Sequence, residues 1–336
     1  MPHQLERAET HAYPLLSDIR ETAARLSGQV LQTPAWRWQT GAVEQHLSKS
    51  TEVWLKLELF QKSGTFKFRG ALNCLLALDL AARRRGVVAV SAGNHAVAVA
   101  YTAQLMNTDA TVVMPENASP ARIAACQEYG ARVLLAPDVH AAFSWGETIQ
   151  QEERRSMIHP FDGPLTALGT ATIGLEFMQQ VEQLDAVVVP IGGGGLCAGI
   201  SAAVKQLNPA CKVYGVEPFG ADAMYRSFQS GRPEQLARVD TVADSLGAPH
   251  TLSYSMNVCR TFVDELVRVS DEQICRAMYF LYRDAKLVAE PAAAVAAAGL
   301  FGPLREQLDG RRVGLIVCGS NIDPVTYSEL LARGAS

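Results

Sequence analysis

The chain has 336 residues, 48% hydrophobic and 19% charged, with a formal net charge of -4. That length and apolar share support two domains or one large α/β unit, and a weakly negative surface without a basic stripe excludes an electrostatic platform for nucleic acid. Seven scattered cysteines without a C-x-x-C pair argue for reduced thiols and against a zinc site.

No segment approaches the charge-free span that crosses a bilayer, and the first 25 residues lack the apolar stretch of a secretory leader. A cytoplasmic protein is expected. In chain order, short β-branched runs predict strands at 53–57, 87–91, 111–114, 132–135, 186–189, 212–217 and 313–318. Helical patterns at 94–106, 119–129, 168–184, 196–207, 271–286 and 291–300 follow most of them. This alternation is the signature of parallel sheets covered by helices, whose ligands bind at the carboxyl ends of strands.

The first motif is Ser63-Gly-Thr-Phe-Lys67-Phe-Arg-Gly70, at the head of a helical pattern through Leu72, Leu75, Leu76 and Leu80. Two readings of Lys67 stand side by side. In one, its stem packs on aromatic rings while the ammonium reaches water. In the other, burial lowers its pKa and leaves a neutral amine able to form a Schiff base with an aldehyde cofactor. Downstream, Arg83-Arg84-Arg85 closes a helical pattern, where cations meet the negative end of the helix dipole.

Further motifs follow other strands. Ser91-Ala92-Gly93-Asn94-His95 is a small polar loop opening a helix, suited to a carboxylate or to plain N-capping. Gly192-Gly193-Gly194-Gly195-Leu196 removes every Cβ from a strand-to-helix turn, so that backbone N–H groups can converge on a phosphate. The dinucleotide fingerprint G-x-G-x-x-G fails there, because the third glycine position falls on Cys197 or Ala198, and no Walker A sequence occurs. Glu290-Pro291 opens an Ala-rich helix suited to close packing. Cys318-Gly-Ser-Asn321 ends the last strand in a polar turn.

These motifs, in this order, resemble the fold-type II (tryptophan synthase β-like) pyridoxal-phosphate enzymes, and within them the serine/threonine dehydratase and serine racemase family. The similarity also runs through Thr33-Pro34, Lys56-Leu57-Glu58 and Gln61. It implies an α/β fold of two open, twisted, mostly parallel sheets with flanking helices. A small domain (81–162) would be inserted into a large one (1–80 and 163–336).

It further implies pyridoxal 5'-phosphate as cofactor, Lys67 as the Schiff-base lysine and Phe66 beside it. Gly192, Gly193, Gly194, Gly195 and Leu196 would form the phosphate cradle, with Asn94 the donor to the phenolate oxygen and Cys318 facing the pyridine nitrogen. Ser91, Ala92, Gly93, Asn94 and His95 would hold the substrate carboxylate. Racemases of the family carry a serine where this chain has Ala92, and a methyl group transfers no proton, so elimination is expected over racemisation. The cation site of some relatives is matched by Glu217 and the carbonyl of Ala221, but its third position is Ala223, with Asp222 one residue early. No metal is expected.

The implied activity is an L-threonine or L-serine ammonia-lyase working as a homodimer on a small amino acid. Alternatives are a dehydratase of another β-hydroxy amino acid (hydroxyaspartate or phenylserine) and a non-catalytic pyridoxal-phosphate-binding protein. The chain runs only a little past Asn321, so a regulatory domain and feedback inhibition by isoleucine are not expected.

Overall fold

Two sheets organise the molecule, a computed structural model that describes residues 13–336. The reading of the N-terminus as lacking a leader falls in part on residues 1–12, which lie outside the described residues. The first sheet has six strands in the order β1-β2-β10-β7-β8-β9. These are β1 (Ala35–Trp38), β2 (Glu52–Leu57), β7 (Ala186–Pro190), β8 (Lys212–Pro218), β9 (Glu265–Val269) and β10 (Arg312–Val317). Only the β1–β2 pair is antiparallel. The second sheet is parallel throughout, in the order β5-β4-β3-β6. It comprises β3 (Val87–Val90), β4 (Ala110–Pro115), β5 (Arg132–Ala136) and β6 (Ser156–Met157).

The seven predicted strands are present within a residue or two; six are largely buried apolar runs, and β5, at an edge of the second sheet, is half-exposed. Three strands were not predicted. β1 and β9 lie at the edges of the first sheet, where solvent on one side dilutes the apolar pattern, and β6 has two residues. The helix predicted at 168–184 is α8 (Pro164–Gln180), which begins earlier because Pro164 occupies its first turn. The helix predicted at 271–286 is α12 (Asp271–Arg283), opened by a Ser270–Gln273 capping box and ended before Lys286, whose φ is 59°. The Ala-rich helix α13 (Pro291–Phe301) is buried from Pro291 to Leu300 and packs along β7, β8, β9 and β10. A Cβ at Gly299 would stand 2.7 Å from Val216, so the small residues permit that approach.

Adjacent strands β2, β10 and β7 run parallel, with Val317 opposite Leu57 and Leu315 opposite Val188. Their carboxyl ends therefore share one edge, and from that edge the chain leads into the Lys67, Cys318 and glycine motifs. Helix α3 (Lys67–Ala77) is anchored there by a buried charge cluster. The Arg69 guanidinium donates to both oxygens of Glu58 at 2.8 Å and to both of Glu176 at 2.6 and 2.8 Å. Lys56 donates to Glu176 and Gln180 at 2.9 Å and to the Thr33 carbonyl at 2.7 Å. The Arg69, Glu58 and Lys56 side chains are fully buried, and two positive and two negative charges balance.

Removing one member of such a cluster leaves buried charges without partners, which costs about 3–5 kcal/mol. Arg69→Met is therefore expected to lower unfolding free energy by about that amount in urea titrations. A change below about 1 kcal/mol would show that the cluster does not anchor the helix.

Candidate active site

Lys67 is presented by a strained turn stitched to the end of β10. Ser63 and Gly64 have φ of 66° and 70°, and Gly64 has no room for a side chain, since a Cβ would fall 2.5 Å from Asn321 Oδ1. The Ser320 N–H donates to the Gly64 carbonyl and the Phe66 N–H to the Cys318 carbonyl, both at 3.0 Å, while Thr65 bridges Gly319. The Asn321 amide donates to the Ser63 carbonyl at 2.9 Å. Lys67 and Cys318 are thus brought together by backbone hydrogen bonds between segments about 250 residues apart in the chain.

Of the two readings of Lys67, the geometry supports the enclosed amine. Nζ lies 5.1 Å from the centre of the Phe66 ring and donates to the Pro160 carbonyl at 2.5 Å, in a residue that is part-buried on the cavity wall. Burial lowers its pKa to about 8, partly opposed by the nearby Cys318 and Glu290.

The polar loop after β3 leads into α5 (Asn94–Leu105). The Asn94 amide orientation is set from two sides: its nitrogen donates to Glu290 Oε1 at 2.6 Å and its oxygen accepts from Asn321 at 2.8 Å. A longer contact of 3.3 Å runs from the same nitrogen to Ser245 Oγ. Ser91 Oγ accepts the Gly93 N–H at 3.1 Å, closing the turn. His95 faces away, with Nε2 2.8 Å from the Ile158 carbonyl, and burial together with the Lys67 charge pushes its pKa down to about 3. It is a neutral, fixed ring.

The glycine run joins β7 to α9 (Gly195–Leu207), whose N-terminus has no side-chain cap. Gly194 adopts φ 97°, and a Cβ on Gly193 would lie 2.1 Å from the Phe161 ring. The run therefore serves close packing as well as leaving its N–H groups bare. Around it lies a partly open cavity, lined by Phe66, Lys67, Asn94, Gly192 to Leu196 and Cys318, with Phe161, Pro190, Ser245, Leu246, Glu290 and Ala292. The lysine, Asn94, glycine, Glu290 and Cys318 motifs thus each contribute to one space. Asn94 is the only member of Ser91 to His95 that lines it.

Two of the additional lining residues carry much of the chemistry. Phe161 belongs to the turn that follows β6, which Ser255 holds by donating from its hydroxyl to the Phe161 carbonyl and from its N–H to Asp162, both at 2.8 Å. Glu290 is buried, and that burial raises its pKa to about 8. The sequence signal for both was weak: His159-Pro-Phe-Asp-Gly163 reads as a turn, and Glu290 as the acid before a helix-starting proline.

Burial likewise holds the Cys318 thiol far above its ordinary pKa, so it is a neutral wall residue. Arg122 reaches from α6 (Pro120–Glu128), beside the second sheet, to Asp244 at 2.6 Å and the Asn321 carbonyl at 3.0 Å on the other side of the cavity. Glu217 is a helix cap: its oxygens accept the N–H groups of Met224 and Tyr225 at 2.9 and 2.6 Å. Asp222 is engaged by Arg226 and Arg268. Both carboxylates thus already have polar partners.

An enclosed amine of lowered pKa, an uncapped helix start, an oriented amide and a neutral thiol around one cavity are a donor set that fits pyridoxal phosphate. The comparisons with known proteins agree. Residues 26–319 match the family model described as pyridoxal-phosphate dependent enzyme. The chain is 49% identical over 330 residues, 98% of its length and all of the relative's, to a phenylserine dehydratase of Ralstonia pickettii. It is 37% identical to an L-threonine ammonia-lyase of Thermotoga maritima over 95% of this chain and 78% of that one. Its fold superposes on the crystal structure of serine racemase from Dictyostelium discoideum with a TM-score of 0.85 at 33% identity, covering 93% of this chain and 100% of the other.

The lowered pKa of Lys67 predicts how the cofactor-free protein takes up pyridoxal phosphate, because only the neutral amine attacks an aldehyde. The loading rate, followed by absorbance, should climb with pH and level off above about 8. A lysine with its ordinary value of 10.5 would still gain about tenfold per pH unit at pH 9, and that outcome would contradict the assignment.

Proposed function

This chain belongs to the pyridoxal-phosphate dependent enzymes and is an ammonia-lyase, and from that premise we propose that its substrate is a β-hydroxy amino acid with an uncharged aryl substituent, of the phenylserine type. The reaction removes the β-hydroxyl as water and then, with return of water, gives the 2-oxo acid and ammonia.

The observation that carries the substrate class is the wall beside Lys67. Phe161 directly follows the carbonyl that holds Lys67 Nζ and lines the cavity together with Leu246, Pro190 and Phe66. An aryl group against such a wall gains its apolar burial and about 0.5–1.5 kcal/mol of ring pairing. Hydroxyaspartate would bring a second carboxylate, and among the described lining residues the only cationic side chain is Lys67. Arg122, close by, is already committed to Asp244. L-Threonine or L-serine remains the second reading, favoured by the similarity to the threonine ammonia-lyase.

In this reading the residues divide the work as follows. The bound cofactor supplies an electron sink for the α-carbon. The neutral form of Lys67, aimed by the Pro160 carbonyl, takes the α-proton at Nζ. The bare N–H groups from Gly192 to Leu196 would hold a phosphate, and Asn94, fixed by Glu290 and Asn321, would turn the N–H of its 3.3 Å contact with Ser245 Oγ to a ring oxygen instead. Cys318 would offer a neutral partner to the ring nitrogen, and the loop from Ser91 to His95 would receive the substrate carboxylate through its main chain and Asn94, the member that lines the cavity. Ala92 places no proton-transfer group on the opposite face, so the α-carbon is deprotonated from one side.

We also assign the chain to the cytoplasm, as a homodimer with its inserted domain at 81–162. Seven free thiols favour a reducing compartment, and no described helix is long and apolar enough to cross a membrane. The dimer rests on the resemblance.

The test is a panel of β-hydroxy amino acids with ammonia and 2-oxo acid detection. Phenylserine should give the highest kcat/KM, and Phe161→Ala should reduce its advantage over threonine by about tenfold, equivalent to about 1.4 kcal/mol. A wild-type preference for hydroxyaspartate would overturn the substrate class. Ammonia from none of them would overturn the reaction.

A further inference from the structure

Glu290 is the acid that this mechanism leaves with a free oxygen. Its side chain is 1% exposed and borders the cavity that Lys67 and Cys318 also line. Oε1 accepts the Asn94 amide at 2.6 Å. Oε2 is buried with no hydrogen-bond partner; Arg122 Nη2 is 3.9 Å away, too far for one. Gly319 is required beside it, since a Cβ there would fall 2.6 Å from Oε1. A buried carboxylate with one bare oxygen is costly, whereas a carboxylic acid can turn that oxygen into a donor.

Burial favours the acid form, against the nearby Arg122 guanidinium, which favours the carboxylate. From α6, the Arg122 guanidinium is answered by Asp244 at 2.6 Å, and Asp244 opposes ionisation of Glu290. From α3, Lys67 is the amine that forms the covalent link to the cofactor, and from the end of β10 Cys318 is a neutral thiol. From α5, Asn94 contributes an uncharged N–H. Arg122, shared with Asp244 and 3.9 Å from Oε2, is the positive charge that faces Glu290, and burial outweighs it and raises the pKa to about 8.

We propose that Glu290 is a ligand-binding residue that works in its protonated form, with Oε2–H donating a hydrogen bond to the ring oxygen of bound pyridoxal phosphate while Oε1 holds Asn94 in place. The inference rests on the cofactor and is independent of the substrate class. Two donors, the Asn94 amide and the Glu290 hydroxyl, then converge on one anionic oxygen. Losing the Glu290 proton replaces a donor with a negative charge facing that anion.

The absorbance spectrum of the pyridoxal-phosphate-loaded enzyme, recorded from pH 6 to pH 10 without substrate, tests this directly. Wild-type protein should show a spectral transition with a midpoint of about 8. Glu290→Gln retains an acceptor for Asn94 and an N–H for the cofactor but cannot ionise, so its spectrum should match the low-pH wild-type form and stay constant across the range. A transition that persists in Glu290→Gln, or a variant spectrum that matches the high-pH form, would overturn the proposal. So would a wild-type spectrum that does not change with pH, which needs no variant.

Discussion

The placement of the reactive lysine depends on a buried ionic anchor on the far side of its helix. Arg69 lies two residues after Lys67, about 200° around the helix axis, so a group that fixes one points the other in the opposite direction. Arg69 is held by Glu58, which follows β2, and by Glu176, on α8, and Lys56 completes the charge balance. Arg69, Glu58 and Lys56 have no water to fall back on, and Glu176 keeps only partial contact with solvent. The first turn of α3 therefore has one low-energy orientation, with Lys67 facing the cavity.

That anchored turn is only half of the site. The end of β10 supplies the other half through main-chain hydrogen bonds to Gly64 and Phe66, and Asn321 continues the chain of contacts to Ser63 and Asn94. Asn94 stands at the end of a strand in the second sheet, and its amide is oriented by Glu290 and Asn321 from the first. Arg122 and Asp244 make a further contact across the cavity. The site is thus assembled at the facing strand ends of two sheets, and its proton-transfer group is held by one of them.

Much of this was legible in the sequence because the signals were local. Buried parallel strands announce themselves as β-branched runs, and the glycine, Asn94 and Cys318 motifs each sit where such a run ends. What was not legible depends on contacts between distant segments. Phe161 reads as a turn residue until its ring is seen against Gly193, and Glu290 as a helix-start acid until its oxygen is found against Asn94. Edge strands β1 and β9 were invisible because partial exposure breaks the pattern that marks a core strand. Lys67 itself could not be resolved from its neighbours, since the same two phenylalanines suit a snorkelling lysine and an enclosed one. The Pro160 carbonyl, 93 residues away, distinguishes them.

The account stands on Lys67 being the amine that carries the cofactor. The most direct measurement is borohydride reduction of the pyridoxal-phosphate-loaded enzyme, followed by proteolysis and mass spectrometry of the tagged peptide. The tag should reside on Lys67 alone. A tag on Lys56, Lys62 or any other lysine, or no stable tag, would contradict the central claim.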